Sequence, residues 1–293
     1  MSVDTHHERR TAVTSQQPTA PVEPTTGIAP GASGSSVARR PRRFRPSWRG
    51  WLGLVLPVLL LLTWQLVTTS GRVSPSVLPP PVDVLGEARR LIENGDLWPT
   101  IGISVQRVLL GFGIGAALAV VTGIAVGLSR VVDALLSPVL VAVRAVPSLA
   151  WVPLLILWAG FGELPKVTLV AIGAFFPVLA TLVAGIRQVD LGLLEVARAY
   201  GLSWRQRVTT VLLPSAAPSL LAGARLGLAQ AWLFLVAAEL IASSQGLGFL
   251  LVDSQNTGRV DGILLAIVLL AVIGKLSDVV LALVEKRVLA RLR

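Results

Sequence analysis

The amino-acid sequence predicts an all-α protein that crosses a lipid bilayer six times. Of its 293 residues, 53% are hydrophobic and 14% are charged, and the mean hydropathy is +0.73. Soluble domains carry about a quarter charged residues, and a helix needs about 20 mostly apolar residues to cross the hydrocarbon core. Apolar runs of about that length recur along the chain, separated by short polar segments. The pattern excludes an ordinary soluble protein.

Cysteine content and charge exclude further classes. The chain contains no cysteine, so it has no disulfide, thiolate zinc site or cysteine nucleophile. Its net charge of +10 comes from arginines clustered beside the apolar runs. That distribution is typical of the positive-inside rule and not of a nucleic-acid-binding protein.

Residues 1–46 form a separate basic tail, which we predict to be disordered and cytoplasmic. The tail has few large apolar residues, so burial cannot offset the entropy of ordering it. Both histidines of the chain, His6 and His7, lie here and are interpreted as solvated. The arginines of 39–45 are interpreted as an anchor on anionic lipid. No apolar stretch follows Met1, so no cleavable secretory signal is predicted.

The spans follow in order. Residues 47–97 comprise the first span, at 51–67, and an external loop with an amphipathic segment at 82–94. Residues 98–288 form the core, and residues 289–293 are a basic C-terminal end. A helix ending near Val146 is predicted before the third span, and Pro177 is expected to kink the fourth. The core spans are predicted at 104–128, from 148 onward, 167–186, 216–242 and 263–284.

The distribution of Lys and Arg predicts the orientation. With the N-terminus inside, the basic tail, Arg130, Arg144, the arginines of 187–207 and the C-terminal end all lie in the cytoplasm. The outside receives fewer cations, and acidic residues offset those of the first loop. We therefore expect a multi-pass protein of the plasma membrane with both termini cytoplasmic.

The polar segment 186–214 interrupts the apolar spans and predicts two short amphipathic helices. Asp190 is predicted to be the N-cap of the first, and Gly201 stands where a helix C-cap needs a left-handed residue. Ser203 and Gln206 match the capping box of the second helix. Pro214 is expected to end that helix, because proline lacks a backbone N–H.

This segment resembles the EAA signature of the membrane subunits of bacterial ABC importers. The signature is E-x-A-x-x-x-G followed, about nine residues later, by an aliphatic pair and Pro, and Glu195, Ala197, Gly201 and Pro214 occupy its anchors. The resemblance implies a type I ABC importer permease fold in which this coupling loop, 187–214, docks on a cytoplasmic ATPase. The residues it implies for docking are Glu195, Ala197, Arg198, Ala199, Gly201, Ser203 and Trp204.

A second stretch resembles the nitrate, sulfonate and taurine group of these permeases. It runs from Arg144 through Pro147, Trp151 and Trp158 to the glycines at 160 and 162, and matches the run R-x-x-P-x-x-A-W-x-P-L-x-x-x-W-F-G-x-G. Ala159 departs from it, since the family usually carries Phe there. The resemblance implies a homodimer of this chain, an ATPase dimer and an extracytoplasmic substrate-binding protein as partners.

The chain lacks the G-x-x-x-x-G-K-[ST] sequence that cradles nucleotide phosphates. The nearest match, Gly111, Gly113 and Gly115 in an apolar span, is interpreted as a site of close helix packing. We therefore expect no cofactor in this chain and expect ATP with Mg²⁺ to be bound by the partner ATPase. The chain itself is predicted to be a transporter subunit and not an enzyme.

Polar or aromatic residues within the spans are candidates for the translocation path. Lys275 and Asp278 are expected to pair on one helix face. Glu239 is interpreted as a structural or gating hydrogen-bonding residue, and Gly223, Gly227 and Ala231 form a stripe of small residues that favours close helix packing. The candidates for the path are Ser148, Trp151, Arg225, Gln230 and Trp232.

Two other function classes require features that the sequence does not offer. A secondary transporter or channel predicts inverted repeats and broken-helix ion sites, and the sequence shows no such symmetry. An intramembrane enzyme needs a catalytic constellation, which the spans lack. For an importer, a small sulfonate, nitrate or taurine-like anion is implied by the resemblance, and a neutral vitamin-precursor-like solute remains the alternative.

Overall fold

A computed structural model describes residues 48–147 and 150–292 of the chain, and those residues form helices and connecting turns without a β-strand. The all-α prediction is confirmed. The predicted tail, with its histidines and its arginine cluster, lies outside the described residues, and so does Ser148.

In chain order, the helices are α1 (Trp48–Thr69), α2 (Pro81–Glu93), α3 (Leu97–Leu128), α4 (Arg130–Ala145), α5 (Trp151–Ala159), α6 (Glu163–Arg187), α7 (Leu191–Ala199), α8 (Trp204–Gln206), a π-helix (Arg207–Leu212), α9 (Leu213–Ala242), α10 (Leu247–Asn256) and α11 (Val260–Leu292).

Helices α3, α6 and α9 form the centre of the fold, with α6 between the other two. Buried side chains of all three, among them Val108, Val170 and Leu235, pack in one apolar cluster. Helices α3 and α6 run toward the segment 187–203, and α9 runs away from it. We call the end that carries residues 187–203 the signature end, and the end that carries residues 160–162 and 243–246 the far end.

Within the described residues, four helical segments are long and apolar enough to cross a bilayer: Leu97–Leu128, Glu163–Arg187, Trp204–Ala242 and Val260–Arg291. A shorter apolar helical stretch, Val55–Thr69, overlaps most of the predicted first span, 51–67. The chain is thus a multi-pass membrane protein, whereas the number six remains a prediction.

The prediction of a single third span from residue 148 is wrong. Helix α5 has only nine residues and ends at Gly160, whose φ of 74° lies in the left-handed region. Nine helical residues rise about 14 Å, roughly half of the hydrocarbon core. Helix α4 ends at Ala145, as predicted, but Pro138 lies inside it without ending it.

Pro214 also behaves differently from the prediction that it ends a short helix. The second signature helix continues through it into α9, so that residues 204–242 form one helical segment. The preceding π-helix shifts the hydrogen-bond register, and the N–H of Leu213 donates to the carbonyl of Val208. Proline is tolerated in the first turn after such a shift because its missing N–H is not required there.

Glycines bring α6 close to its two neighbours, as the sequence predicts. A Cβ at Gly111 would lie 2.6 Å from Val170, and one at Gly227 would lie 2.8 Å from Val178. A Cβ at Gly223 would overlap the side chain of Thr181. Gly113, by contrast, faces open space. Small residues on two faces therefore permit the close packing of α3, α6 and α9.

Candidate functional site

The two short helices between α6 and α9 begin with the caps that the sequence predicts. The side chain of Asp190 accepts a hydrogen bond from the N–H of Gly192 at 2.8 Å and caps α7. Ser203 and Gln206 form both hydrogen bonds of a capping box. Each short helix therefore begins at a side-chain cap.

Gly201 ends α7 in a Schellman motif. Its φ is 71°, its N–H donates to Arg198 at 2.9 Å, and the N–H of Leu202 donates to Ala197 at 3.1 Å. These two bonds satisfy carbonyls that the helix end would otherwise leave without donors. A Cβ at Gly201 would meet nothing within 4 Å, so the backbone angle, and not intrachain space, favours glycine.

The residues implied for docking divide into an anchor and an exposed face. Ala197 is 3% exposed, whereas Glu195, Arg198, Ala199, Gly201, Ser203 and Trp204 are exposed. Large apolar side chains, which are usually buried in soluble proteins, lie on the same exposed surface. Tyr200 is 83% exposed and Trp204 is 54% exposed, and Leu193 and Val196 are about half exposed. We call the exposed residues of 192–205 the signature face.

The signature face is held on the bundle by an apolar cluster. Leu194 and Val189 pack against buried Leu182, Ile186 and Leu212 of the adjoining helices. Beside this cluster lies a cavity of about 660 Å³ at the signature end. Its wall includes the ion pair between Arg187 and Asp133, with 2.7 Å between nitrogen and oxygen. The side chain of Trp204 is also covered by the guanidinium of Arg207 at 5.6 Å.

A second cavity of about 360 Å³ lies between the end of α4, the start of α5, the middle of α6 and α9. We call it the α4–α6–α9 cavity. Trp151 and Gln230, two of the residues predicted for the translocation path, line it. The other lining residues are Val143, Arg144, Ala145, Val146, Pro147, Ile172, Gly173, Phe176, Pro177, Leu233 and Phe234.

The position of Arg144 corrects the sequence analysis, which grouped it with the arginines of the signature end. Helix α4 starts there, where Asp133 pairs with Arg187, and its last residues reach the cavity wall beside Ile172 and Pro177. Those two residues lie 9 and 14 positions into α6, about 14–21 Å from the far end. Arg144 therefore lies within the bilayer, where a central arginine costs roughly 2.5–3.5 kcal/mol on insertion scales unless it is paired or meets water.

The other candidates for the path contact neighbouring helices. Arg225 donates to Asp278 of α11 at 2.9 and 3.2 Å and lies 3.5 Å from Glu285. Lys275 donates to Asp278 at 3.1 Å, which confirms the predicted pair. Trp232 is buried and donates to Ser277 at 2.9 Å. The structure thus places Arg225 and Trp232 at the α9–α11 contact and outside the α4–α6–α9 cavity.

A buried ion-pair network crosses the far end, and sequence reasoning missed its cation. Arg107 of α3 donates to Glu239 of α9 at 2.6 Å, and the two side chains are 3% and 0% exposed. The same guanidinium donates to Glu163 at 2.6 Å and to the carbonyl of Gln245 at 2.7 Å. An arginine inside an apolar run predicts an acidic or polar partner on another helix, because an unpaired cation is costly in a bilayer.

Glu239 has the hydrogen-bonding role that its position suggested. It accepts from the hydroxyl of Ser104 at 2.8 Å and from the N–H of Gly248 at 2.8 Å. The hydroxyl of Ser104 in turn accepts from the N–H of Leu247. The network therefore joins α3, α6 and α9 to the segment that leads into α10.

The far-end surface carries a further polar cluster. Glu87 of α2 is buried and accepts from Arg90 and from Arg259, the latter at 3.0 Å. The hydrogen bond with Glu87 raises the pKa of Arg90 above its ordinary value. Arg259 also donates to Asp253 at 2.9 Å. Both cations, Arg90 and Arg259, border an open cavity of about 360 Å³ together with Asp253.

Known proteins resemble this chain over most of its length. The family described as "Binding-protein-dependent transport system inner membrane component" matches residues 111–290. The "Putative aliphatic sulfonates transport permease protein SsuC" of Bacillus subtilis is 41% identical over 263 residues, which cover 90% of this chain and 95% of that protein. The "Taurine transport system permease protein TauC" of Escherichia coli is 35% identical over 78% of this chain and 85% of that protein.

A solved structure supports the fold. The permease chain from a study of inward facing conformations of the MetNI methionine ABC transporter aligns with a TM-score of 0.53 and 22% identity, covering 68% of this chain and 94% of that chain. Together with the bundle around α6 and the capped signature segment, these similarities settle the classification. The chain belongs to the family of binding-protein-dependent transport system inner membrane components, the permease subunits of ABC importers.

Proposed function

We propose that this permease moves a small organic anion of the sulfonate class across the plasma membrane, driven by a separate ATPase that docks on the signature face. The observation that carries the docking site is the exposure of Leu193, Val196, Tyr200 and Trp204 on two capped helices outside the apolar bundle. Exposed apolar patches bordered by charged residues are typical of protein–protein contacts.

The charges of the signature face fit a specific contact. The side chains of Glu195 and Arg198 are exposed and have no hydrogen-bonding or ion-pair partner among residues 48–147 and 150–292. Charged groups of this kind orient a partner and select it more than they add affinity. We propose that Glu195 orients the ATPase, that Ala197 anchors α7 and that Gly201 sets the angle between the two helices.

The complete importer contains further chains in this proposal. Two copies of this permease bind two ATPase subunits, and an extracytoplasmic binding protein delivers the solute at the far end. The ATPase subunits bind ATP with Mg²⁺, because this chain has no phosphate-binding loop. The signature end and both chain termini then face the cytoplasm, in agreement with the excess of Lys and Arg predicted there.

The sulfonate class is supported by the two relatives and by the α4–α6–α9 cavity. The relatives are named for aliphatic sulfonates and taurine, two organic anions. The cavity has a single charged side chain on its described walls, a cation, together with aromatic and aliphatic surfaces. A solute with an anionic head and a short hydrocarbon part fits that combination.

The test of docking is co-purification of the ATPase subunit with detergent-solubilised permease, with ATPase activity measured in the eluate. Wild type should retain the ATPase, whereas Glu195→Lys and Gly201→Asp should lose at least about 90% of it while the permease still inserts. The first variant reverses the orienting charge, and the second adds a charge and a strained backbone at the contact.

Matched controls separate docking from general damage. Gly95→Asp introduces the same residue at a φ of 79° in equally open space at the far end, and Glu93→Lys makes the same charge reversal there. Both should retain the ATPase. Normal retention by the two signature variants would refute the docking site. If wild type itself retains no ATPase, the interpretation of the signature segment as a docking loop fails.

A further inference from the structure

We propose that Arg144 is the anion-binding residue of the translocation path, and that its guanidinium holds the sulfonate head of the solute in the α4–α6–α9 cavity. The inference rests on the proposed function and names the group that recognises its substrate class. It assigns a binding role to a residue that the sequence analysis placed with the loop arginines.

Arg144 lies at a depth that a transported solute must pass. Arg144 lines the cavity beside Ile172 and Pro177, near the middle of α6, and Gln230 lines the same cavity from α9, 12 positions before that helix ends at Ala242. Both levels lie about 14–21 Å from the far end, close to the centre of a hydrocarbon core about 30 Å thick. A solute that crosses the bilayer must pass this level.

The side chain of Arg144 has no partner in the part of the chain that the structure describes. Within residues 48–147 and 150–292, Arg144 forms no ion pair or side-chain hydrogen bond, in contrast to Arg107 and Arg225, which are both paired with carboxylates. Ionisable groups in a membrane are retained where they pair or where they contact water and transported solutes. The side chain of Arg144 is exposed, and it is therefore available to a solute.

The wall of the cavity has the chemistry that an organic anion requires. No acidic residue is among the described residues that line the cavity, so the charge of Arg144 is not neutralised there. Its planar group offers donors in a fork that matches the oxygens of a sulfonate, and Gln230 adds amide donors opposite. Pro177 lacks an N–H, so the carbonyl of Gly173, a residue that also lines the cavity, lacks its usual helical donor. Trp151 and Phe176 supply apolar surface for the hydrocarbon part of the solute.

The absence of native cysteine permits a direct test in the full-length chain purified with its ATPase. A single cysteine, Val146→Cys, is placed in the cavity wall, and its reaction rate is measured with sulfonatoethyl and with trimethylammonioethyl methanethiosulfonate. The anionic reagent is itself an alkanesulfonate. With Arg144 present, the ratio of anionic to cationic rates should be at least about tenfold higher than with Arg144→Gln, because a fixed charge in a cleft concentrates counter-ions. Ethanesulfonate should slow the reaction only when Arg144 is present.

Two controls test whether the effect is specific to the cavity and to Arg144. The exposed loop residue Val77 is replaced by Cys to give the reagents' reactivity away from the cavity, and Arg72→Gln removes one exposed arginine elsewhere. Arg72→Gln should leave the ratio of rates at the cysteine in the cavity wall unchanged. A ratio that changes less than twofold with Arg144→Gln, or equal protection by ethanesulfonate in both backgrounds, would overturn the inference.

A transport measurement separates this inference from the proposed function. In proteoliposomes with the ATPase and the binding protein, Arg144→Gln should raise the KM for ethanesulfonate about 10- to 100-fold, since a charged hydrogen bond is lost, and Arg144→Lys should recover part of it. An unchanged KM with normal ATP-driven uptake by wild type would refute the role of Arg144 alone. No ATP-driven uptake of sulfonate by wild type would refute the proposed substrate class, while the labelling ratio would still decide whether the cavity attracts anions.

Discussion

Replacing Arg107 by Leu is expected to prevent accumulation of the folded permease. Glu239 would remain in a site where its side chain is 0% exposed, without the guanidinium that now lies 2.6 Å away. Removing one partner of a buried ion pair costs about 3–5 kcal/mol, because the remaining charge is neither solvated nor paired. That loss is a large fraction of the whole stability of many domains, about 5–15 kcal/mol.

The effect should depend on the charge of Glu239 and not on the volume of Arg107. Adding Glu239→Gln to Arg107→Leu removes the uncompensated charge, and an amide oxygen at the position of Oε2 can still accept from Ser104 and Gly248. The double variant should therefore recover much of the monodisperse protein that the single variant loses.

The measurement is the amount of monodisperse protein by size-exclusion chromatography in detergent, together with the thermal midpoint. Arg72→Leu serves as the control for removing an exposed arginine. A double variant that is as depleted as Arg107→Leu alone would show that the guanidinium acts through its other contacts, to Glu163 and Gln245, and not through the buried charge pair.

The local structure of the signature segment could be predicted because each of its signals acts over a few residues. Asp190 caps the helix that follows it, Gly201 adopts the left-handed conformation, and Ser203 and Gln206 bond to one another. These conformations follow from side-chain chemistry at fixed short spacings. The exposure of the neighbouring apolar side chains could not be read in the same way, because it depends on which helices cover them.

The far-end network could not be paired from the sequence. Arg107 and Glu239 are 132 positions apart, and only the packing of α3 and α9 around α6 brings them together. The depth of Arg144 was misjudged for a related reason. Charge counting assigns a cation to the nearer membrane surface, whereas α4 carries this residue along α6 to mid-bilayer.

Proline positions did not predict the helix boundaries correctly. Pro214 was expected to end a short helix, yet it lies inside a continuous helical segment, and Pro138 also lies inside a helix. At Pro214 the π-helix compensates for the missing N–H, a register change that no local residue pattern indicates. The prediction of the third span as a single helix was wrong because α5 ends at the left-handed Gly160 after nine residues.

The close helix packing at the glycines, in contrast, could be predicted from the sequence. It leads to a second variant with a large expected effect on stability. Gly115→Ala should strongly destabilise the permease. Its new Cβ would overlap the carbonyl oxygen of Ala171 and lie 3.0 Å from that residue's Cα, and a backbone group cannot rotate away as a side chain can. Overpacking of this kind costs about 3 kcal/mol, and it would push α3 from α6 along one of the two most extensive helix contacts in the fold.

Gly113→Ala makes the same chemical change two positions earlier on the same helix, where a Cβ would meet nothing within 4 Å. Alanine is favoured over glycine inside a helix by about 1 kcal/mol, so this variant should match or exceed wild type in thermal midpoint. The two variants are compared by thermal denaturation in detergent and by retention of the ATPase. Equal midpoints would mean that α3 and α6 can separate without loss of stability, and the close packing of these helices would then not be what holds the bundle together. A lower midpoint for Gly115→Ala alone would locate that stabilisation at the contact with Ala171.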